Sequence, residues 1–366
     1  MAVVKRYAIL LGAVALVALI PRPVSLAAQA QTTVRKPSPT ATGAPATRKF
    51  LPKRLPWGDP DISGNFSTRN ELGTPFERPD EFAGKRIEDI TPQEQAAINE
   101  QRQQEQAANA AFAGGGSRQY GIAIGVPIHW LDSLDSVNSR PWFVTDPPDG
   151  RIPPLTEEAR QRNATAASAR RERGTADSFT DRSLWDRCII RNVPTMFMGF
   201  YGASFQILQT KEYVAIRYEM VHETRIIPIE GRGAARPHNS AILRTYFGDA
   251  TARWEGDALV VDTTNFRKES EFRGAHEYLH LSERFTRTAP NKVEVTTTVE
   301  DPHTWTRPWT YSLPITEDDG QPIFEYACHE GNYGLRNILS AGRADDRKGI
   351  KSSNSVDDQA DLKNDE

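Results

Sequence analysis

The sequence predicts a mainly β protein with peripheral helices, in which short strands form an antiparallel barrel or sandwich. From about Ser204 onward, apolar residues alternate with polar ones, and turn residues interrupt these runs at short intervals. No stretch with a helical period lies between the runs, and this order favours strands joined as hairpins. We expect about seven to nine strands in the second half of the chain.

Three runs show the alternation most clearly. On one face each, they place Val214, Ile216, Tyr218 and Met220; Leu259, Val261 and Thr263; and Val293, Val295, Thr297 and Val299. Turn residues follow or precede such runs at Glu255-Gly256-Asp257 and Ala289-Pro290-Asn291. One face of each strand should therefore be buried, although a register shift of one residue would exchange the two faces.

The first thirty residues have the pattern of a secretory signal. Lys5 and Arg6 precede the apolar run Ala8–Ile20, and the small-residue stretch Ala28-Gln29-Ala30 follows. The run is shorter than the roughly 20 apolar residues that span a bilayer. We expect a periplasmic or secreted protein that begins near Gln31 and has no membrane span after cleavage; an uncleaved anchor is the alternative.

Composition divides the rest of the chain into four segments. They are a Thr/Pro/Ala-rich disordered linker (31–50), an irregular N-terminal segment with two helices (51–180), a β-rich domain (181–340) and a disordered, charged tail (341–366). The first helix should start at Thr91, which forms a capping box with Glu94, and end near Phe112. The second should run from Thr156 towards Arg173.

Charge, cysteine count and absent motifs exclude several classes of protein. The 45 Lys and Arg residues against 48 Asp and Glu residues argue against a basic nucleic-acid binder. Two cysteines are too few for a Cys-only zinc or iron–sulfur site, which needs about four thiolates. The sequence has no glycine-rich nucleotide loop, no hydrolase nucleophile elbow and no zincin motif. Nucleotide-driven enzymes, α/β hydrolases and zincins are therefore disfavoured.

The two cysteines, Cys188 and Cys328, are expected to pair as a disulfide. In an exported protein the compartment is oxidising, and two distant thiols usually pair there. The alternatives are two buried reduced thiols, or a reactive thiol at Cys328 beside His329.

Two strand-like segments carry candidate site residues. In the first, alternation places His222 and Arg225 on opposite faces, and a surface strand start is the competing interpretation. In the second, His280, Ser282 and Arg284 share one face, which is either a polar pocket lining or an ordinary solvent face.

The densest candidate segment is Glu325–Gly334, which we expect to close a strand and enter a glycine-containing loop. His329 and Glu330 lie within it and could act as acid and base, or ligate a metal. The competing interpretation is a cross-linked strand end whose histidine caps the backbone.

Aromatic residues in the same half of the chain are candidates for ligand contacts. They are Trp254, Trp305, Trp309 and Tyr333. Aromatic walls with a few polar groups suit an aromatic or sugar-like ligand, and core packing is the alternative.

Six motifs carry a resemblance along the chain. They are Trp57-Gly58-Asp59-Pro60-Asp61, Asp146-Pro147-Pro148-Asp149-Gly150-Arg151-Ile152-Pro153-Pro154-Leu155, Ser183-Leu184-Trp185-Asp186-Arg187-Cys188, Arg253-Trp254-Glu255-Gly256-Asp257, Glu300-Asp301-Pro302 and Tyr326-Ala327-Cys328-His329-Glu330-Gly331-Asn332-Tyr333. In this order they resemble a large group of secreted bacterial proteins, over nearly all of residues 51–343. The resemblance implies export and one structural unit, without an activity. Lipocalin-like barrels are an architectural analogy only.

These observations predict an exported enzyme that uses general acid–base chemistry as a lyase, isomerase or hydrolase. Its substrate would be a small aromatic or carbohydrate-derived molecule. His329 would be the base or acid and His280 its counterpart, with Glu330 orienting them and Arg225 or Arg284 stabilising negative charge.

Three alternatives stay open at this point. One is a non-catalytic periplasmic β-barrel that binds an apolar ligand. Another is a structural or envelope-associated protein that uses the two helices as its contact surface. The third is a metal-dependent version of the enzyme, in which a divalent metal would be held by His222, His280, His329 and Glu330. The sequence identifies no cofactor, and the expected partner is a small molecule rather than nucleic acid.

Overall fold

A ten-stranded antiparallel sheet organises the described part of the chain. The computed structural model describes residues 50–112, 139–174, 176–191, 193, 202–233, 236–320 and 323–349. The strands are β1 Gly64–Ser67, β2 Val144–Asp146, β3 Ser204–Gln209, β4 Tyr213–Tyr218, β5 Thr224–Pro228, β6 Asp249–Glu255, β7 Ala258–Thr264, β8 His280–Ala289, β9 Lys292–Glu300 and β10 Trp309–Glu317. The predicted signal peptide, residues 31–49 of the linker and residues 350–366 of the tail lie outside the described residues.

The sheet has the strand order β5-β4-β3-β1-β10-β9-β8-β7-β6, and β2 pairs with β10 beside this path. At its two ends, β5 and β6 are joined through one isolated parallel bridge, Ile229↔Ala252, rather than through a ladder. The prediction of a mainly β, antiparallel fold is therefore confirmed. The sheet does not close into a barrel within the described residues, and an open sheet is compatible with the sandwich alternative.

The predicted alternation matches the burial of the strands. In β9 the side chains of Val293, Val295, Thr297 and Val299 are buried, while the residues between them are half-buried. In β8, Leu281 and Phe285 face the core. Apolar side chains from all ten strands form one buried cluster. They can do so because alternate side chains of each strand point to the same face of the sheet.

The N-terminal segment is less irregular than predicted. Its strand β1 pairs with β3 on one side and with β10 on the other, and so joins the two halves of the sheet. The strand has four residues, of which Phe66 alone is large and apolar. A strand this short carries no measurable alternation, so the sequence pattern missed it. The described segments all belong to one compact unit, 49–366.

Within the described residues three α-helices accompany the sheet: α1 Pro92–Phe112, α2 Glu157–Glu172 and α3 Tyr333–Lys348. The predicted capping box is present, since the Glu94 amide donates to Thr91 Oγ1 at 3.2 Å and the Thr91 amide donates to Glu94 Oε2 at 2.9 Å. The Ala159 amide donates to Thr156 Oγ1 at 3.1 Å, so α2 also starts where predicted.

Helix α3 corrects the prediction that the tail is disordered from residue 341. A half-buried stripe at helical spacing runs along it: Leu335, Ile338, Leu339 and Gly342. At Gly342 the helix comes so close to Ala176 that a Cβ atom would lie 3.0 Å from the Ala176 side chain. Charged residues follow this stripe, so the composition of residues 341–366 indicates a solvated tail and gives no sign of the helix. It ends at Gly349, whose φ of 68° is left-handed.

Cys188 and Cys328 form the predicted disulfide. They are 140 residues apart in the chain, and their Cα atoms are 5.7 Å apart. The bond ties the segment that precedes β3 to the segment that leads into α3, and the Asn332 side-chain amide, which caps α3, reaches Cys188 Sγ at 3.2 Å. It closes a long loop, which is the case in which a cross-link restricts the unfolded chain most.

A buried ion pair connects strands from the two halves of the sheet. Arg225 on β5 donates through Nη2 to Glu283 Oε2 on β8 at 2.7 Å and to Thr263 Oγ1 on β7 at 3.0 Å. The side chains of Arg225 and Glu283 are 3% and 0% exposed. Burial beside this pair raises the pKa of Tyr218 to about 12. Arg225 is therefore a core residue and not the accessible anion stabiliser that the sequence suggested.

Replacing both cysteines by alanine should lower the free energy of unfolding by about 2–5 kcal/mol, because the unfolded chain loses its cross-link. Urea unfolding of the chain from Gln31 onward measures this difference. The wild-type protein under reducing conditions should match the double variant. Equal stability of the oxidised wild type and the variant would contradict the expected role.

Replacing Arg225 by Met should cost about 3–5 kcal/mol, because the Glu283 carboxylate is left buried without its partner. The double variant Arg225→Met/Glu283→Leu should recover much of this loss, since no uncompensated charge remains. A double-mutant cycle by chemical unfolding gives the coupling. Purely additive effects would mean that the two groups do not depend on each other.

Candidate functional site

The predicted catalytic segment Glu325–Gly334 does not lie at the end of a strand, as the sequence suggested. The residues from 323 to 332 form no strand; they lead into α3, and both His329 and Glu330 are exposed. Within the described residues, the His329 side chain makes no hydrogen bond or ion pair. The strand end that the sequence suggested is absent because this segment is joined to the fold by the disulfide and the helix rather than by sheet pairing.

His222 lies beside that segment. Its Nδ1 is 3.0 Å from the carbonyl oxygen of Tyr326, and its side chain is exposed. The residue is not on a strand, because Val221 and His222 have φ values of 59° and 49° and form a tight turn before β5. Met220 belongs to the same turn. The alternation assumed for both residues therefore stops at Tyr218.

The four predicted ligand-binding aromatics are not brought together as a wall. Trp305 and Trp309 are buried and pack edge to face with their ring centres 5.4 Å apart. Trp254 is half-buried against the core, and Tyr333 is exposed at the start of α3. For Trp305 and Trp309, core packing was the better interpretation.

Arg284 is held at the surface by an ion pair. Its Nη1 donates to Glu255 Oε2 at 2.7 Å, and about half of each side chain is exposed. The predicted face is confirmed, since His280, Ser282 and Arg284 all point away from the core while Leu281, Glu283 and Phe285 are buried.

His280 belongs to a cluster that the sequence did not assemble. Its Nε2 donates to Asp262 Oδ2 at 2.7 Å, and Nε2 of His238 donates to the other oxygen, Oδ1, at 3.0 Å. The three side chains are 39%, 28% and 29% exposed, in the order His280, Asp262 and His238. One carboxylate is thus held between two imidazoles at the edge of solvent. We call these three residues the imidazole–carboxylate cluster.

The sheet register explains two members of the imidazole–carboxylate cluster. Asp262 on β7 lies opposite Ser282 on β8, and His280 lies opposite Glu300 on β9. Alternation turns Val261 and Leu281 into the core, so Asp262 and His280 face outward on neighbouring strands.

His238 is supplied by the connection between β5 and β6. Asp249, at the start of β6, anchors this connection: it accepts from Arg236 Nη2 at 2.6 Å and from the Asn239 amide at 2.5 Å. The Asn265 side chain also donates to the carbonyl oxygen of Asn239 at 2.9 Å. These contacts hold His238 over β7. No local pattern marks His238 or Asp262 as site residues, because their proximity depends on how this connection folds back.

The charges within the cluster shift the pKa values of His280 and Asp262 in opposite directions. The hydrogen bond to Asp262 raises the pKa of His280 above its usual value, against the effect of burial, and Glu300 adds to the rise. Burial alone would raise the pKa of Asp262, but the hydrogen bonds and charges of His280 and His238 outweigh it, so that this pKa is lowered. Asp262 is therefore ionised at neutral pH, and its charge favours protonation of His280.

The cluster leaves one imidazole nitrogen accessible for chemistry. Nδ1 of His280 faces Glu300 Oε2 at 3.4 Å, at the long end of hydrogen bonding, and half of Glu300 is exposed. His238 differs, because its Nδ1 is buried and faces Asp249 Oδ2 at 3.4 Å without forming a hydrogen bond. His280 can therefore exchange a proton with a small molecule, while Asp262 fixes its orientation and stabilises its charged form.

Within the described ranges, no group of three or more His, Cys, Asp or Glu side chains is arranged to hold a metal ion. None of the helices in the described part of the chain has the length and apolar character to span a bilayer.

Comparison of the chain with family models, curated proteins and solved structures finds no match in any of the three.

Replacing Asp262 by Asn should lower the pKa of His280, because the ionic partner of the imidazolium is lost. NMR titration of the His280 ring protons measures this shift. Glu300→Gln is the matched control and should cause a smaller fall, since that contact is longer. An unchanged His280 titration in Asp262→Asn would show that the hydrogen bond does not form in solution.

The cluster should also make stability depend on pH. The contribution of His280 is fully present below its unfolded pKa of about 6.5 and is lost as pH rises through its raised folded pKa. That of Asp262 is present above its unfolded pKa of about 3.9 and is lost as pH falls through its lowered folded pKa. Their joint contribution should therefore be largest between about pH 4 and 6.5, and Asp262→Asn should remove this maximum in urea unfolding across pH.

Proposed function

We propose that this protein is an exported enzyme that uses general acid–base chemistry on a small organic molecule, with the imidazole–carboxylate cluster at its centre. The observation that carries the proposal is Asp262, whose two oxygens accept from Nε2 of His280 and of His238. An imidazole oriented by a carboxylate is the usual arrangement for moving protons near neutral pH.

In this proposal His280 is the catalytic residue. Its Nδ1 accepts a proton from the substrate, or from a water molecule that attacks it, and the positive charge that forms is stabilised by Asp262. The same nitrogen then returns the proton to the leaving group or to a neighbouring atom of the product. These steps suit a lyase, isomerase or hydrolase. Asp262 takes the orienting role that the sequence suggested for Glu330, and His238 is a positioning residue.

Export is part of the proposal. The signal-like pattern of residues 1–30 supports it, and so does the Cys188–Cys328 disulfide, because such bonds persist in oxidising compartments. We therefore propose a periplasmic or secreted location. An aromatic or carbohydrate-derived substrate remains our proposal from the sequence.

The principal alternative is a non-catalytic barrel that carries an apolar ligand in its interior. Such a carrier needs an apolar cavity between the inner faces of the strands. The Arg225–Glu283 pair occupies part of that interior, and this favours the enzyme. The cluster on the outer face has no role in a carrier.

The test is a substrate screen with matched histidine variants. The mature chain is assayed against panels of esters, lactones and β-hydroxy acids, both aromatic and sugar-derived. Any activity found should fall about 10²- to 10⁴-fold in kcat/KM in His280→Gln, because the proton-transfer group is lost. His329→Gln is the control and should keep the wild-type rate. Activity that survives in His280→Gln, or is lost in His329→Gln, would contradict the proposed centre.

Metal content is measured on the same preparations. Elemental mass spectrometry of chelator-free protein separates the metal-dependent version from the metal-independent one. A stoichiometric metal that is lost in His280→Gln would assign the cluster to metal binding, in place of unassisted proton transfer.

A further inference from the structure

A second site, separate from the imidazole–carboxylate cluster, is a cleft of about 920 Å³ beside the segment from Thr180 to Val193. Its other walls come from β10, from Phe76 and Phe143, and from residues 268–276. None of Asp262, His238 or His280 lines it. The volume lies within the roughly 300–1,000 Å³ that is typical of small-molecule sites. We call this feature the arginine cleft.

Positive charge dominates the lining of the arginine cleft. Among the described residues around it, six side chains are cationic, from Arg170, Arg182, Arg187, Arg191, Lys268 and Arg273, and two are carboxylates. One of these carboxylates, Glu269, is already paired with Arg267, which does not line the cleft. The pair of Arg182 with Asp186 neutralises one cation. The cations of Arg170, Arg187, Lys268 and Arg273 still outnumber the remaining carboxylate, that of Glu271, and this excess favours an anionic ligand.

Aromatic rings form the apolar part of the lining. The guanidinium of Arg273 stacks over the ring of Phe76 at 3.7 Å, and that of Arg191 over the ring of Trp185 at the same distance. Phe76 packs in turn against Tyr311, with ring centres 5.0 Å apart. Flat cations thus lie beside flat apolar surfaces on two sides of the cleft. Such a lining suits a ligand that is itself flat and carries negative charge.

Arg273 gives the most specific indication. Its φ of 50° is left-handed, which is uncommon for a residue with a side chain, and it precedes Gly274 in a tight turn. Its exposed side chain lines the cleft, where partial desolvation lowers its pKa and the nearby Glu77 carboxylate acts in the opposite direction. Within the described residues it makes no hydrogen bond and no ion pair. A partly desolvated guanidinium that no carboxylate contacts directly is stabilised when an anion binds to it.

We propose that the arginine cleft binds a planar organic anion, of which an aromatic carboxylate is the simplest example. The carboxylate would receive paired hydrogen bonds from the Arg273 guanidinium, and the ring would lie against Phe272 and Tyr311. A neutral aromatic molecule should bind weakly because it cannot pair with the cationic side chains. An inorganic anion should also bind less tightly, because it makes no contact with the aromatic walls. The inference is independent of the chemistry proposed for His280.

The test uses 2-naphthoate as the probe and 2-naphthylmethanol as its neutral counterpart. Both are titrated into the mature chain by calorimetry, with tryptophan fluorescence as a second signal because Trp185 lines the cleft. We expect naphthoate to bind at least tenfold more tightly than the alcohol. Arg273→Gln should weaken naphthoate binding at least tenfold, and Arg273→Lys should restore only part of it, since a lysine cannot form the paired hydrogen bonds.

Two controls keep the outcome decisive. Arg253→Gln removes an exposed arginine that is paired with Glu255 away from the cleft, and it should bind naphthoate like the wild type. His280→Gln should also bind normally, so loss of catalysis and loss of this site are distinguishable. Unfolding curves confirm that each variant is folded.

Three results would overturn the proposal. They are equal binding of the acid and the alcohol, unchanged naphthoate binding in a folded Arg273→Gln, and no naphthoate binding at about 1 mM. Displacement of naphthoate by inorganic phosphate at equal concentration would contradict the planar part of the proposal.

Discussion

The buried pair of Arg225 and Glu283 is the interaction on which the arrangement of the sheet depends. The two residues stand on β5 and β8, which have five strands between them along the sheet, and their side chains meet in the core. Two charged side chains that are buried away from water are tolerated only where they pair with each other. The inner faces of the two halves must therefore stay opposed, and the register of β8 must keep Glu283 inward.

That constraint also determines the outer face. With Leu281, Glu283 and Phe285 turned inward, His280 and Ser282 have to point outward, and the pairing with β7 brings Asp262 next to them. The imidazole–carboxylate cluster is a consequence of this register together with the connection that carries His238. A one-residue shift of β8 would break the ion pair and bury the imidazole at the same time. The stability of the core and the geometry of the site are thus linked.

The imidazole–carboxylate cluster and the arginine cleft have opposite electrostatic character. In the cluster, carboxylates lie beside histidines, and these contacts raise the pKa of His280 and lower that of Asp262. In the cleft, arginines are matched only in part, and Arg273 and Arg191 rest on aromatic rings. The first arrangement suits proton movement and the second suits the capture of an anion.

The sequence by itself determined the features that depend on neighbours along the chain. The capping box at Thr91, the N-cap at Thr156, the alternation of β8 and β9, and the cysteine pair required only local patterns or a simple count. Tertiary structure decided the rest: the strand at Phe66, the partner of Arg225, and the meeting of His238 with Asp262. These depend on contacts between distant segments, and the periodicity of a segment contains no information about which other segment will lie against it.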